Sequence, residues 1–111
     1  MVSNVEITDF ALNQLDEYVG YIIEKFKNDQ AAKSVLEDAR FTKNELLNVA
    51  DSLKYCEDSK LKELGYKTIH FRKHRYFFVY RIVNETAFIE AVYHDLQDYE
   101  NIFIKDVVEN N

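Results

Sequence analysis

The chain has 111 residues, 47% of them apolar and 14% aromatic, which suits one packed core rather than two and excludes a disordered tail. Twenty acidic residues against fourteen basic ones leave a net charge of −6, and that weighs against general nucleic-acid binding. Cys56 is the single cysteine. With no leader-like N-terminus and no apolar run near the ~20 residues of a membrane span, the expectation is a cytoplasmic protein without membrane contact.

Taken in chain order, Val5 and Ile7 alternate with polar neighbours and predict a short strand. Thr8 or Asp9 is placed to cap a helix whose stripe is Leu12, Leu15, Val19, Ile22 and Phe26, widened by Ala11, Tyr18 and Ile23. Lys27 and Asn28 interrupt it, and Asn28 or Asp29 caps a second helix. Its stripe runs through Ala32, Val35, Leu36, Ala39, Leu46, Val49 or Ala50, and Leu53. Two amphipathic stripes joined by a tight turn read as a helical hairpin with an apolar surface to cover. The polar stretch from Asp51 to Lys62 reads as a loop ending at Gly65.

From Tyr66 the period changes to two, with Phe, Tyr, Val and Ile prominent. Breaks at 72–75 and 84–86 divide the stretch into strands of about 67–72, 75–83 and 87–94. Short even loops place Ile69 opposite Phe78, Phe71 opposite Tyr76, Ile82 opposite Ala87 and Tyr80 opposite Ile89. Ala91 and Tyr93 then continue an apolar face. The other face collects Thr68, His70, Arg72, Arg75, Phe77, Val79, Arg81, Phe88, Glu90, Val92 and His94. A slip of one residue would mix the two sets, which supports the register. The predicted fold is α+β in the order β-α-α-β-β-β, with the helical hairpin on one face of a largely antiparallel twisted sheet and the basic face left open. After His94 a short helical turn is expected, with Leu96, Tyr99 and Phe103 packing it back onto the domain.

Charge is unevenly distributed. Residues 60–81 carry a net +6 and the remainder −12, so positive potential is expected on one surface. In the predicted register Arg75 lies across from His94, and Arg81 is diagonal to Glu90. This gives a candidate set for cutting RNA through its own 2′-hydroxyl, without metal or cofactor. His94 would be the acid, Glu90 the base, and Arg75 with Arg81 the phosphate clamp. His70, Arg72, Lys73, Phe77 and Tyr99 would bind RNA by charge and stacking. The alternative for Arg81 and Glu90 is a cross-strand ion pair, and for Tyr99 a place in the core.

Several stretches resemble the RelE/ParE toxin superfamily. They are Ile7-Thr8 before a helix, Ala31-Ala32 opening a second helix, and Gly65-Tyr66-Lys67 opening a strand. The runs from Arg75 to Ile82 and from Tyr93 to Glu100 complete the match over nearly the whole chain. The resemblance implies a toxin of a type II toxin–antitoxin module, neutralised by a cognate antitoxin whose C-terminal segment wraps it. It further implies one of two targets. RelE-like and YoeB-like members cut mRNA on the ribosome, and His94 matches the histidine near the end of the last strand in YoeB-like members. ParE-like members poison DNA gyrase and do no chemistry. On the Arg75–His94 pairing and the basic segment, mRNA cleavage is the leading expectation, with gyrase inhibition or a purely antitoxin-binding role as alternatives.

Overall fold

In the computed structural model, which describes residues 1–110, strand β1 (Asn4–Ile7) leads directly into helix α1 (Asp9–Phe26). Thr8 takes the capping role: its hydroxyl accepts from the Ala11 N–H at 3.2 Å and satisfies one of the orphan donors of the first turn. The helix stops at Lys27, whose φ of 52° is left-handed. Asn28 then starts helix α2 (Asp29–Val49), its side-chain oxygen accepting from the Ala31 N–H at 3.0 Å. A short helix α3 (Ser59–Glu63), capped by Asp58, lies in the stretch expected to be loop. Three strands follow, β2 (Lys67–His70), β3 (Tyr76–Val83) and β4 (Thr86–His94). Helix α4 (Tyr99–Phe103) then continues as a π-helical turn, Ile104–Val108.

The sheet order is β1-β4-β3-β2, with β1 parallel to β4 and the other pairs antiparallel. This is the expected α+β arrangement. The pairs Ile69–Phe78, Ile82–Ala87 and Tyr80–Ile89 form as predicted, and the Phe71 N–H donates to the Tyr76 carbonyl at 2.9 Å. Past Ile89 the register departs from the prediction. Val79 pairs with Ala91 while Tyr80 pairs with Ile89, so Glu90 is the extra residue of a β-bulge. The bulge turns the end of β4 over. Val92 and His94 lie on the helix side, and Ala91 and Tyr93 lie on the other. His94 therefore pairs with Tyr76 and not with Arg75.

On the helix side Leu15, Val35, Leu46, Phe78, Tyr80 and Ile89 form a core. The Tyr80 hydroxyl reaches across it to donate to the Ala50 carbonyl at 2.8 Å. The opposite face is not open. Leu61 of α3 and Phe103 of α4 cover Phe77, Val79, Ala91 and Tyr93, making a second buried cluster where the length argument allowed one. Leu61 and Phe103 are each 0% exposed, and such burial contributes roughly 1.5–3 kcal/mol per side chain. Phe103 and Tyr99 pack back as expected, but Leu96 stays 83% exposed.

One further detail of β4 positions the site. Strand β1 pairs with it only as far as Ile89. Beyond that point helix α1 lies along the bare edge. Gln14 Oε1 accepts from the Val92 N–H at 2.7 Å, and the Tyr18 hydroxyl donates to the Val92 carbonyl at 3.3 Å. Buried edge groups are thus satisfied by helix side chains instead of a strand. Among the described residues no helix is long and apolar enough to cross a membrane.

Candidate functional site

Bulge and register divide the residues expected to act together into three places. On the non-helix face, Arg81 Nε donates to Glu90 Oε2 at 2.8 Å, and the Tyr66 hydroxyl donates to Glu90 Oε1 at 3.0 Å. The Arg81 guanidinium also lies 4.9 Å from the centre of the Tyr66 ring. Burial, with Glu90 close by, pushes the Tyr66 hydroxyl well above the usual tyrosine range, so it keeps its proton and donates. Both carboxylate oxygens of Glu90 are therefore engaged, and Arg81 is its counter-ion. The ion-pair reading of these two residues is the one the geometry favours.

His94 sits on the other side of the sheet. Its Nδ1 accepts from the Leu96 N–H at 3.2 Å, which leaves the ring proton to Nε2. The ring meets Tyr76 edge-on, with centroids 5.3 Å apart. Arg75, Lys73 and His94 border a cleft of about 540 Å³ beneath the tip of the helical hairpin. So Arg75 and His94 are neighbours there, although not cross-strand partners. Neither is brought to Glu90 or Arg81.

The third place is a cleft of about 660 Å³ beside β2, where His70, Phe77 and Tyr99 converge with Cys56, Glu57 and Glu100. His70 Nδ1 is 3.5 Å from Asp95 Oδ1, and its ring stacks 5.1 Å from that of Phe77. Phe77 is only 4% exposed, so it supports the cleft floor without offering a free stacking surface. Burial raises the Cys56 thiol, which stays protonated and is no nucleophile at neutral pH. Arg72 and Lys73 are not part of this cleft. Arg72 lies over the Phe41 ring of α2 at 4.7 Å.

The basic segment is also less exposed than its count suggests. Lys67 is 6% exposed and donates through Nζ to the carbonyls of Asp51 at 3.0 Å and Ala50 at 3.3 Å. Lys60 lies 3.7 Å from Glu109, and Arg81 is taken by Glu90.

Asp38 of α2 is a residue the sequence reading passed over. It is 5% exposed and accepts three hydrogen bonds from the β2–β3 turn. The Lys73 N–H is at 2.9 Å, the Arg72 N–H at 3.2 Å and His74 Nδ1 at 2.7 Å. Burial pushes its carboxyl up, but those bonds together pull it further down, leaving it below the ordinary aspartate value. Asp38 thereby fixes the turn that carries Lys73 and Arg75. Its signal was legible: Val35, Asp38, Ala39 and Thr42 share one buried helix face, and a carboxylate there demands partners.

Among solved structures the chain resembles one described as "Chromosomal ParDE TA system from P. aeruginosa". The TM-score is 0.68 at 15% sequence identity, covering 82% of this chain and 94% of that one. That likeness supports the fold. No curated protein sequence matches the chain. A family profile described as "ParE toxin of type II toxin-antitoxin system, parDE" matches residues 5–99, from β1 through the start of α4. The chain belongs to the ParE toxin family of type II toxin–antitoxin systems.

Proposed function

We propose that this toxin stops growth by binding a macromolecular target, DNA gyrase, and not by cutting RNA, and that in the cytoplasm a cognate antitoxin holds it in check. The observation that carries this reading is the separation of His94 from Arg81 and Glu90 by the thickness of the sheet. Attack by a 2′-hydroxyl needs a base, an acid and a charge-stabilising group around a single phosphate, each within hydrogen-bond reach. Here the carboxylate is held by an arginine and a tyrosine on one face, while the imidazole lies on the other.

Ribosome-dependent mRNA cleavage is the second reading, favoured by exposed Lys73 and Arg75 beside His94. Purified, antitoxin-free protein separates the two. Added to gyrase and plasmid, it is expected to block supercoiling or leave gyrase-linked breaks. Added to programmed ribosomes, it is expected to leave the mRNA intact. Cuts in the ribosomal A site that disappear in His94→Ala would overturn the proposal.

A further inference from the structure

The cleft under the hairpin tip has a composition suited to one kind of ligand. Its floor is formed by Ile22, Val35 and Tyr76, with Phe26 at the mouth. Its rim carries Lys73, Arg75 and His94, and no carboxylate lines it. Among the described residues, neither Lys73 nor Arg75 has an acidic side chain within ion-pair distance. The carboxylates of the two acidic residues that meet this turn through its backbone are engaged by other groups, Asp38 by His74 and Asp95 by His70. Asn28 and Ala31 also line the cleft. Phe26, 65% exposed, is an apolar side chain at the mouth that meets only the edge of the Tyr21 ring, with centroids 5.9 Å apart, among the aromatic rings of the described residues.

We infer that this cleft binds an acidic peptide segment carrying a bulky apolar side chain, the side chain against Ile22, Val35 and Tyr76 under Phe26 and flanking carboxylates on Lys73 and Arg75. At about 540 Å³ the cleft lies within the roughly 300–1,000 Å³ typical of sites that enclose a ligand. Guanidinium and ammonium groups at the rim pair with carboxylates, and the apolar floor accepts a bulky apolar side chain. Charge complementarity argues in the same direction. The chain carries −6 overall, so a long polyanion would meet more repulsion beyond the rim than a short acidic segment whose charges stay on it. The inference is independent of which target the toxin inhibits.

The test uses the full chain and a fluorescein-labelled octapeptide, Gly-Glu-Asp-Phe-Leu-Glu-Asp-Gly, read by fluorescence anisotropy. An amide control replaces each Glu by Gln and each Asp by Asn, and a single-stranded RNA dodecamer probes the nucleic-acid alternative. The acidic peptide is expected to bind roughly tenfold or more tightly than the amide control, with Lys73→Glu/Arg75→Glu removing that advantage. Phe26→Asp should weaken the peptide as well, and amide NMR shifts should move at Ala31, Arg75 and His94. Circular dichroism checks that both variants fold. Equal binding of the two peptides, or peptide binding unchanged in the variants, would overturn the inference. So would tighter binding of the RNA dodecamer that depends on Lys73 and Arg75.

Discussion

The two faces of the sheet are both buried, but they are covered in different ways. On one, two helices of 18 and 21 residues lie across the strands and share one continuous core. On the other, a five-residue helix, a second five-residue helix and a π-helical turn supply Leu61 and Phe103 to a smaller cluster. Long helices bury a stripe, so their positions are fixed many times over. A short segment is fixed by one or two side chains, and everything beneath it depends on them. The difference suggests that stability is broadly distributed on the helix face and concentrated on the other.

Phe103→Ala is the sharpest way to break that comparison. It should cost about 3–5 kcal/mol in a denaturant melt, as for other buried aromatic truncations. A loss below about 1 kcal/mol would mean that the cover frays locally and is no part of the cooperative unit.

Asp38→Asn tests a polar anchor on the helix face, with an expected cost of about 1–3 kcal/mol near neutral pH. The native carboxyl of Asp38 is lowered. Its contribution is therefore present above the ordinary carboxylate range and lost as pH falls through the native value. The substitution should flatten the acid side of the stability profile. An unchanged profile would show that Asp38 does not govern it.

A double-mutant cycle of Arg81→Met with Glu90→Gln should give a coupling of about 1–2 kcal/mol, weaker than a fully buried pair because Arg81 is partly exposed. The smallest effect is expected from Tyr93→Phe. Among the described residues the buried Tyr93 hydroxyl makes no well-formed hydrogen bond, although the Gln14 side chain bears on it, so its removal should change the unfolding free energy by no more than about 0.5 kcal/mol, or raise stability. A clear loss would reveal a partner for that hydroxyl.

What the sequence disclosed follows the same division. The helix caps at Thr8 and Asn28, the hairpin and the Ile69–Phe78 and Tyr80–Ile89 pairs were legible because each repeats a period or caps an end. The extra residue at Glu90 was not, because a bulge leaves the alternation locally intact on both sides and changes only its phase. That single phase change put His94 on the opposite face from Arg81 and Glu90, which it was expected to join, although Arg75 stays beside it. Leu61 was hidden for another reason, since the five residues of α3 carry too little periodicity to distinguish a covering turn from a loop, whereas the packing of Phe103 was expected. His70, Phe77 and Tyr99 do meet as a group, but acidic Glu57 and Glu100 share their cleft, and no pattern along the chain brought those together.

The way helix α1 finishes the edge of β4 affects how the molecule behaves at high concentration. An uncovered strand edge is a template on which another chain can add a strand, and proteins often blunt such edges with proline. This sequence contains no proline. Gln14 and Tyr18 occupy the Val92 backbone groups with side chains, which present no repeating ladder for an incoming strand to copy. Growth of the sheet stops at that edge, and fibre-like self-association from it is discouraged for as long as α1 stays in place.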